Sequence, residues 1–238
     1  MILKKYFSPS SLFCVLVLIL SLYVIFSLKK PKQEEAIQTL TLSTLGQLKG
    51  NHVIFWGYFD PPTLAHKEIV VQSLKQLDVE KVIVVLNNLT NSGKTPSTNA
   101  KQRLEMMQLL LTDYKDKVIF IIQDKDQTID YKTIKKHIYG KLYIVSGQDS
   151  YEKWMQYEKN IDAYDGIIVV PRHTETKQPL LPVNSKHITL LDIEKKLYTC
   201  SSTEVRANIN EESILNKFLS SKIVTYIKSN NLYEAFAK

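Results

Sequence analysis

Gly57-Tyr58-Phe59-Asp60-Pro61-Pro62-Thr63-Leu64-Ala65-His66 follows a short apolar run, His52-Val53-Ile54-Phe55-Trp56, and leads into a helical pattern that begins near Leu64. A strand ending in Gly, a turn through Asp-Pro-Pro and a helix with Thr and His in its first turn describe a β–α junction. Helix N-termini present unpaired N–H groups and the positive end of the helix dipole, so such a junction suits a polyphosphate. The spacing Thr63-x-x-His66 puts hydroxyl and imidazole on one side of that turn. The same ten residues also read as an ordinary βα turn with a satisfied histidine.

Outward from this stretch, β-branched runs alternate with amphipathic helical segments, the pattern of a parallel α/β sheet. The strands predicted are 52–56, 81–86, 117–122, 141–146, 166–170 and 187–191. Residues 64–77 carry Ile69, Val70, Leu74 and Leu77 on one helical face, and 98–112 carry Leu104, Met107, Leu110 and Leu111 on another. Near-continuous apolar strands imply a sheet covered on both sides. Ligands of such sheets bind at the carboxyl ends of strands, where the strand order reverses. Gly57–His66 begins at such an end.

The chain has 238 residues, of which 44% are apolar and 23% charged, a globular composition. Its formal charge is +7, but residues 1–33 contain five lysines (4, 5, 29, 30 and 32) and no acid. The remaining chain is nearly neutral and has no dense basic stripe, which argues against a nucleic-acid partner. Cys14 lies in an apolar run and cannot sensibly pair with Cys200, and no Cys/His zinc spacing occurs. Residues 8–28 carry no charge and as a helix would span roughly 31 Å, close to a bilayer's hydrocarbon core. The run is longer than a signal-peptide core and lacks a small-residue cleavage site. The expectation is a single-pass transmembrane helix in the lipid bilayer, with three lysines after it placing the body in the cytosol. Residues 1–33 are thus read as anchor, 34–51 as a connector and 52–238 as the working domain.

Three further stretches carry candidate chemistry. Asn87 to Pro96 is a polar loop holding Lys94 after Gly93, without the Gly-x4-Gly-Lys pattern of a P-loop. Gly147-Gln148-Asp149-Ser150, with Trp154 beyond, offers close backbone approach and a carboxylate for ribose hydroxyls, or simply a capped helix start. Ser201-Ser202-Thr203-Glu204-Val205-Arg206 offers hydroxyls and a guanidinium for a triphosphate, or a capping box from Ser201 to Glu204.

Together these pieces resemble the nucleotidyltransferase superfamily marked by (H/T)xGH and SSTxxR motifs. Gly57-x-Phe59-Asp60-Pro61-x-Thr63-x-x-His66 resembles the first motif and Ser201–Arg206 the second. Lys94 with Arg103-Leu104-Glu105-Met106, Tyr131-Lys132-Thr133, Gly147-x-Asp149 with Trp154, Val169–Arg172, and Val224–Ile227 with Leu232-Tyr233 are most similar to the bacterial nicotinate-nucleotide adenylyltransferases. The fold so implied is α/β, a doubly wound, mostly parallel Rossmann-like sheet, here preceded by the N-terminal transmembrane helix.

The resemblance implies adenylyl transfer from ATP, with Mg²⁺, to nicotinic acid (or nicotinamide) mononucleotide. It implies His66, Thr63, Arg206 and Lys94 in catalysis, and Gly57, Phe59, Asp60, His66, Ser201, Ser202, Thr203 and Arg206 around ATP. Gly147, Asp149 and Trp154 would face the pyridine mononucleotide. The sequence departs from the family's pattern at Thr63, where the nicotinate enzymes usually carry His, and at Ala65, where Gly is usual. Trp56 and the loop 87–96 depart as well. These departures leave two rivals, a tethered nucleotide-binding module without catalysis and a sister transferase acting on phosphopantetheine or another phosphorylated substrate.

Overall fold

The computed structural model describes residues 39–88, 95–123, 129–156, 163–171 and 188–236. The chain separates into two units, Met1–Ala36 and Ile37–Lys238, and the described residues all belong to the second.

In chain order the elements are β1 (Thr39–Leu40), β2 (Leu48–Lys49), β3 (His52–Gly57), α1 (Leu64–Gln76), β4 (Lys81–Asn87), α2 (Ala100–Leu110) and β5 (Val118–Gln123). There follow α3 (Tyr131–Lys135), β6 (Ile138–Tyr139), β7 (Leu142–Gly147), α4 (Gln148–Trp154), β8 (Ile167–Val170), β9 (Ile188–Leu190), α5 (Ser202–Ala207), α6 (Glu212–Phe218) and α7 (Ser221–Ser229). Seven strands form one sheet in the order β1-β5-β4-β3-β7-β8-β9, and every pairing in it is parallel.

Period-two alternation divides the side chains between two cores. Val53, Phe55, Val82, Val84, Leu86, Phe120, Val145 and Ile168 face α1, α2 and the helices α5 to α7. Ile54, Ile83, Val85, Ile119, Ile121 and Ile144 face α3 and the segment around Leu45. Both faces are therefore covered, as the apolar strands require.

The stretch 34–51, read from the sequence as a connector, contributes β1 to the edge beside β5 and β2 to a two-stranded ribbon with β6. Each of these strands has two residues, too few to leave a periodic trace in the sequence. Beside the ribbon, Gly140 has φ +151, and a Cβ there would come within 2.1 Å of the Gly50 carbonyl oxygen.

The expected transmembrane helix requires correction, and with it the bilayer contact and the single-pass membrane placement. Among the described residues no helix is long and apolar enough to cross a membrane. The longest of those described, α1, has 13 residues, about 20 Å at the helical rise. Residues 8–28 lie outside the described residues. The fold is accordingly stated as the doubly wound parallel sheet alone.

His52 opens β3 fully buried, its Nδ1 without a hydrogen-bond partner among the described residues. Burial holds its imidazole below the ordinary histidine value, against the opposing influences of the Asn51 backbone and Glu80. The unfolded chain therefore takes up a proton near pH 6.5 that the folded chain takes up only at lower pH. Stability should be level above about pH 7 and fall below about pH 6.5, by at most about 1.4 kcal/mol per pH unit from this residue. Urea unfolding of His52→Leu beside the parent at pH 8, 7, 6 and 5 tests this. The variant should lose that part of the slope, and identical slopes would refute the assignment.

Candidate active site

The chain runs from β3 outward through β4 to β5, then returns to lay β7, β8 and β9 on the other side of β3. The reversal falls between the adjacent strands β3 and β7, whose carboxyl ends are Gly57 and Gly147. Doubly wound sheets open a crevice at such a point.

At the β3 end, a Cβ on Gly57 would meet the Phe59 ring at 2.6 Å, so glycine is what lets that ring fold back. Phe59 takes a left-handed conformation, φ 52, and is buried, with its ring edge-on to Phe55 at 5.2 Å and to His66 at 5.1 Å. Phe59 thus supports the histidine from within the core.

Thr63 caps α1 in extended conformation and is fully buried. Its backbone N–H donates to His66 Nδ1 at 2.9 Å, and its Oγ1 lies 2.9 Å from the same nitrogen. The imidazole occupies the place of the glutamate in a capping box. A backbone amide can only donate, so Nδ1 accepts and the ring proton resides on Nε2. His66 is therefore fixed as a donor through Nε2, and Thr63 acts on His66.

Asp60 is only 4% exposed. Its carboxylate accepts from the Ser97 N–H (2.5 Å), the Thr98 hydroxyl (2.6 Å) and the Tyr233 hydroxyl (2.8 Å). Burial first, and the Asp60 charge second, push the Tyr233 hydroxyl far above its ordinary value, which keeps it a donor. The backbone carbonyl of Asp60 accepts from Arg206 Nη1. Asp60 is thus a bracket between distant segments, with both carboxylate oxygens receiving donors. Among the described residues no group of three or more His, Cys, Asp or Glu side chains could hold a metal ion. The described residues therefore offer no protein cage for Mg²⁺.

The second motif is joined to the first. Ser201 Oγ accepts from the Glu204 N–H at 3.1 Å and so caps α5, while Ser202 Oγ donates to the Pro61 carbonyl at 2.8 Å. Thr203 is exposed, its hydroxyl 3.4 Å from Arg206 Nη2. Arg206 Nε is buried and has no partner among the described residues.

At the β7 end, a Cβ on Gly147 would meet nothing within 4 Å, so space lies open beside it. Asp149 is half-buried in the first turn of α4. Trp154, at the end of α4, packs edge-on against Tyr164 at 5.1 Å, and Tyr164 packs against Tyr131 at 4.8 Å. This aromatic group belongs to the core on the face away from α1. The structure brings Gly57, Asp60, Thr63, His66, Ser202 and Arg206 together, and places Trp154 at the far end of the helix that Gly147 and Asp149 open. Lys94 lies outside the described residues.

Arg103 was noted in the sequence only as part of a resemblance, and it proves central. Fully buried in α2, it donates to the carbonyls of Thr98 (3.2 Å), Tyr58 (2.8 Å) and Asn87 (2.8 Å) and to Asn88 Oδ1 (2.8 Å). One guanidinium thereby joins the ends of β3 and β4. A signal was present, since residues 103, 106, 107 and 110 share one helical face and the other three are Met, Met and Leu.

Comparison with known proteins bears on this site. A profile of the cytidylyltransferase-like family matches residues 54–208. The probable nicotinate-nucleotide adenylyltransferase of Acholeplasma laidlawii is 28% identical over 191 residues, covering 76% of this chain and 97% of that protein. The protein of the same name from Caldicellulosiruptor bescii is 29% identical over 194 residues, with 76% and 97% covered. In fold, the chain is similar to Plasmodium falciparum nicotinic acid mononucleotide adenylyltransferase complexed with NaAD. That match has a TM-score of 0.63 at 20% identity, with 78% of this chain and 98% of that one covered.

Arg103→Met keeps the length of the stem and removes the donors, leaving buried carbonyls unpaired. It should lower stability by about 3 kcal/mol or more. Denaturant unfolding measures this, and a loss below about 1 kcal/mol would contradict the bracket role.

Proposed function

Because this chain belongs to the cytidylyltransferase-like family, we propose that it transfers the adenylyl group of ATP to nicotinic acid mononucleotide, or its nicotinamide counterpart. The products are the dinucleotide and pyrophosphate, in NAD biosynthesis. The observation that carries the proposal is His66, held by the Thr63 amide as an Nε2 donor beside the Asp60–Arg206 link. The relatives named for this activity, matched over nearly their whole length, support the choice of acceptor.

A 5′-phosphate oxygen of the mononucleotide attacks the α-phosphorus of ATP, the bond from that phosphorus to the bridging oxygen breaks, and pyrophosphate leaves. No proton need be removed from an already ionised phosphate, so the site's task is alignment and charge stabilisation. His66 donates through Nε2 to the phosphates at the scissile bond. Arg206, with Lys94, balances the charge that grows on the leaving pyrophosphate. Ser202 and Ser201 hold α5 so that Arg206 reaches the phosphates, with Thr203 at their exposed side. The space at Gly147 admits the acceptor, and Asp149 offers carboxylate oxygens to its ribose. No described residues would hold Mg²⁺ by themselves; if present, it would be held through the ATP phosphates and would offset their charge.

Two of the departures noted above bear on the rival without catalysis. Ala65 is buried in the core under α1, and Trp56 packs against the core on the opposite face. Packing accounts for both residues, and the Thr63–His66 contact forms with them in place, which favours turnover.

Incubating the full chain with ATP, Mg²⁺ and each mononucleotide should release pyrophosphate and form the dinucleotide. No release with either acceptor would sink the proposal. His66→Ala should lower kcat on the order of 10²-fold or more while ATP affinity changes little, the mark of a contact that strengthens in the transition state.

A further inference from the structure

Beyond α7 the chain turns back toward the site. Asn231 and Tyr233 take left-handed conformations, φ 50 and 67, and the buried Tyr233 reaches Asp60 Oδ1 with its hydroxyl. Glu234–Phe236 form a single 3-10 turn, closed by the Phe236 N–H on the Tyr233 carbonyl at 2.9 Å. That turn sets the Phe236 ring over the Arg206 guanidinium, 5.6 Å from the ring centre. Arg206 in turn donates to the backbone of Asp60, the residue that Tyr233 holds.

These contacts close a circuit. Tyr233 fixes the acceptor of Arg206, and Phe236, a few residues on, covers the guanidinium itself. Phe236 remains 38% exposed, so core burial does not explain its place. An aromatic face attracts a guanidinium and restricts its tilt. An arginine has several rotatable bonds, and holding it before the ligand arrives removes that ordering from the binding step. Arg206 Nε is buried and has no partner among the described residues, so that donor is left uncommitted.

We propose that Tyr233 and Phe236 are positioning residues for the transfer reaction, holding the Arg206 guanidinium at the angle at which it meets the phosphates of ATP. The inference rests on the adenylyl-transfer reading for the identity of the ligand.

The test uses the full chain with Phe236→Leu, which keeps apolar bulk without a π face, and Tyr233→Phe, which removes a hydroxyl alone. Each should lower kcat/KM for ATP about threefold to tenfold, with KM for the mononucleotide unchanged. Phe236→Leu should leave the unfolding midpoint within about 2 °C. Made on Arg206→Ala, both changes should lose their kinetic effect, because the residue through which they act is gone. Effects of equal size in that background, or none in the parent, would overturn the proposal. Calorimetric ATP affinity separates this from failure of the function itself. If the parent binds ATP yet releases no pyrophosphate, the function fails, and weaker ATP binding by the two variants still supports positioning. If the parent turns over and both variants match it, positioning fails alone. If the parent does not bind ATP, both fail.

Discussion

Burying the Asp60 carboxylate is the constraint on which the site depends. A carboxylate so far from water is tolerated only when its oxygens receive donors. Its donors come from Ser97 and Thr98 before α2 and from Tyr233 after α7, segments far apart in the chain. The fold cannot complete the burial without bringing those segments together at the end of β3. Arg103 imposes the complementary demand, a buried cation whose donors go to Tyr58, Asn87, Asn88 and Thr98. Requirements of folding thus assemble the loop from which the chemistry is worked.

The consequence for His66 is preorganisation. Its ring is held by the Thr63 amide at Nδ1 and by the Phe59 edge, and Phe59 can lie there because Gly57 has no side chain. Donors fixed before reaction stabilise developing charge without reorganising when it appears, which is where electrostatic catalysis gains most. The tautomer is settled by a backbone group rather than by a neighbouring side chain whose own charge could change.

Much of the fold was legible because the strands β3, β4, β5, β7 and β8 are continuous apolar runs and α1 and α2 carry apolar faces. The two-residue strands β1, β2 and β6 were not, since their pairing is decided by what they lie against. The two motifs were legible as residue types, but their roles were not. Asp60 was expected around ATP, and the sequence does not show that its carboxylate partners lie 37 to 173 residues away. Trp154 was expected to face the pyridine mononucleotide, and its packing against Tyr164 is a tertiary contact that no local pattern marks. The apolar run at 8–28 suggested a membrane helix, but amphipathic helices of at most 13 residues make up the described fold.

Thr63 shows why a motif can vary at one position and hold at another. What His66 requires from position 63 is an extended residue whose N–H points back at Nδ1, a demand on the backbone. A β-branched residue favours that extended conformation, and its hydroxyl adds a contact with the same nitrogen. Any residue can supply the amide, but position 66 needs a side chain that receives it at one end and donates at the other, as the neutral imidazole does. The contact thus uses the side chain of residue 66 and the backbone of residue 63. The same division holds at the second motif, where Ser201 and Ser202 orient α5 through backbone groups and Arg206 brings the positive charge.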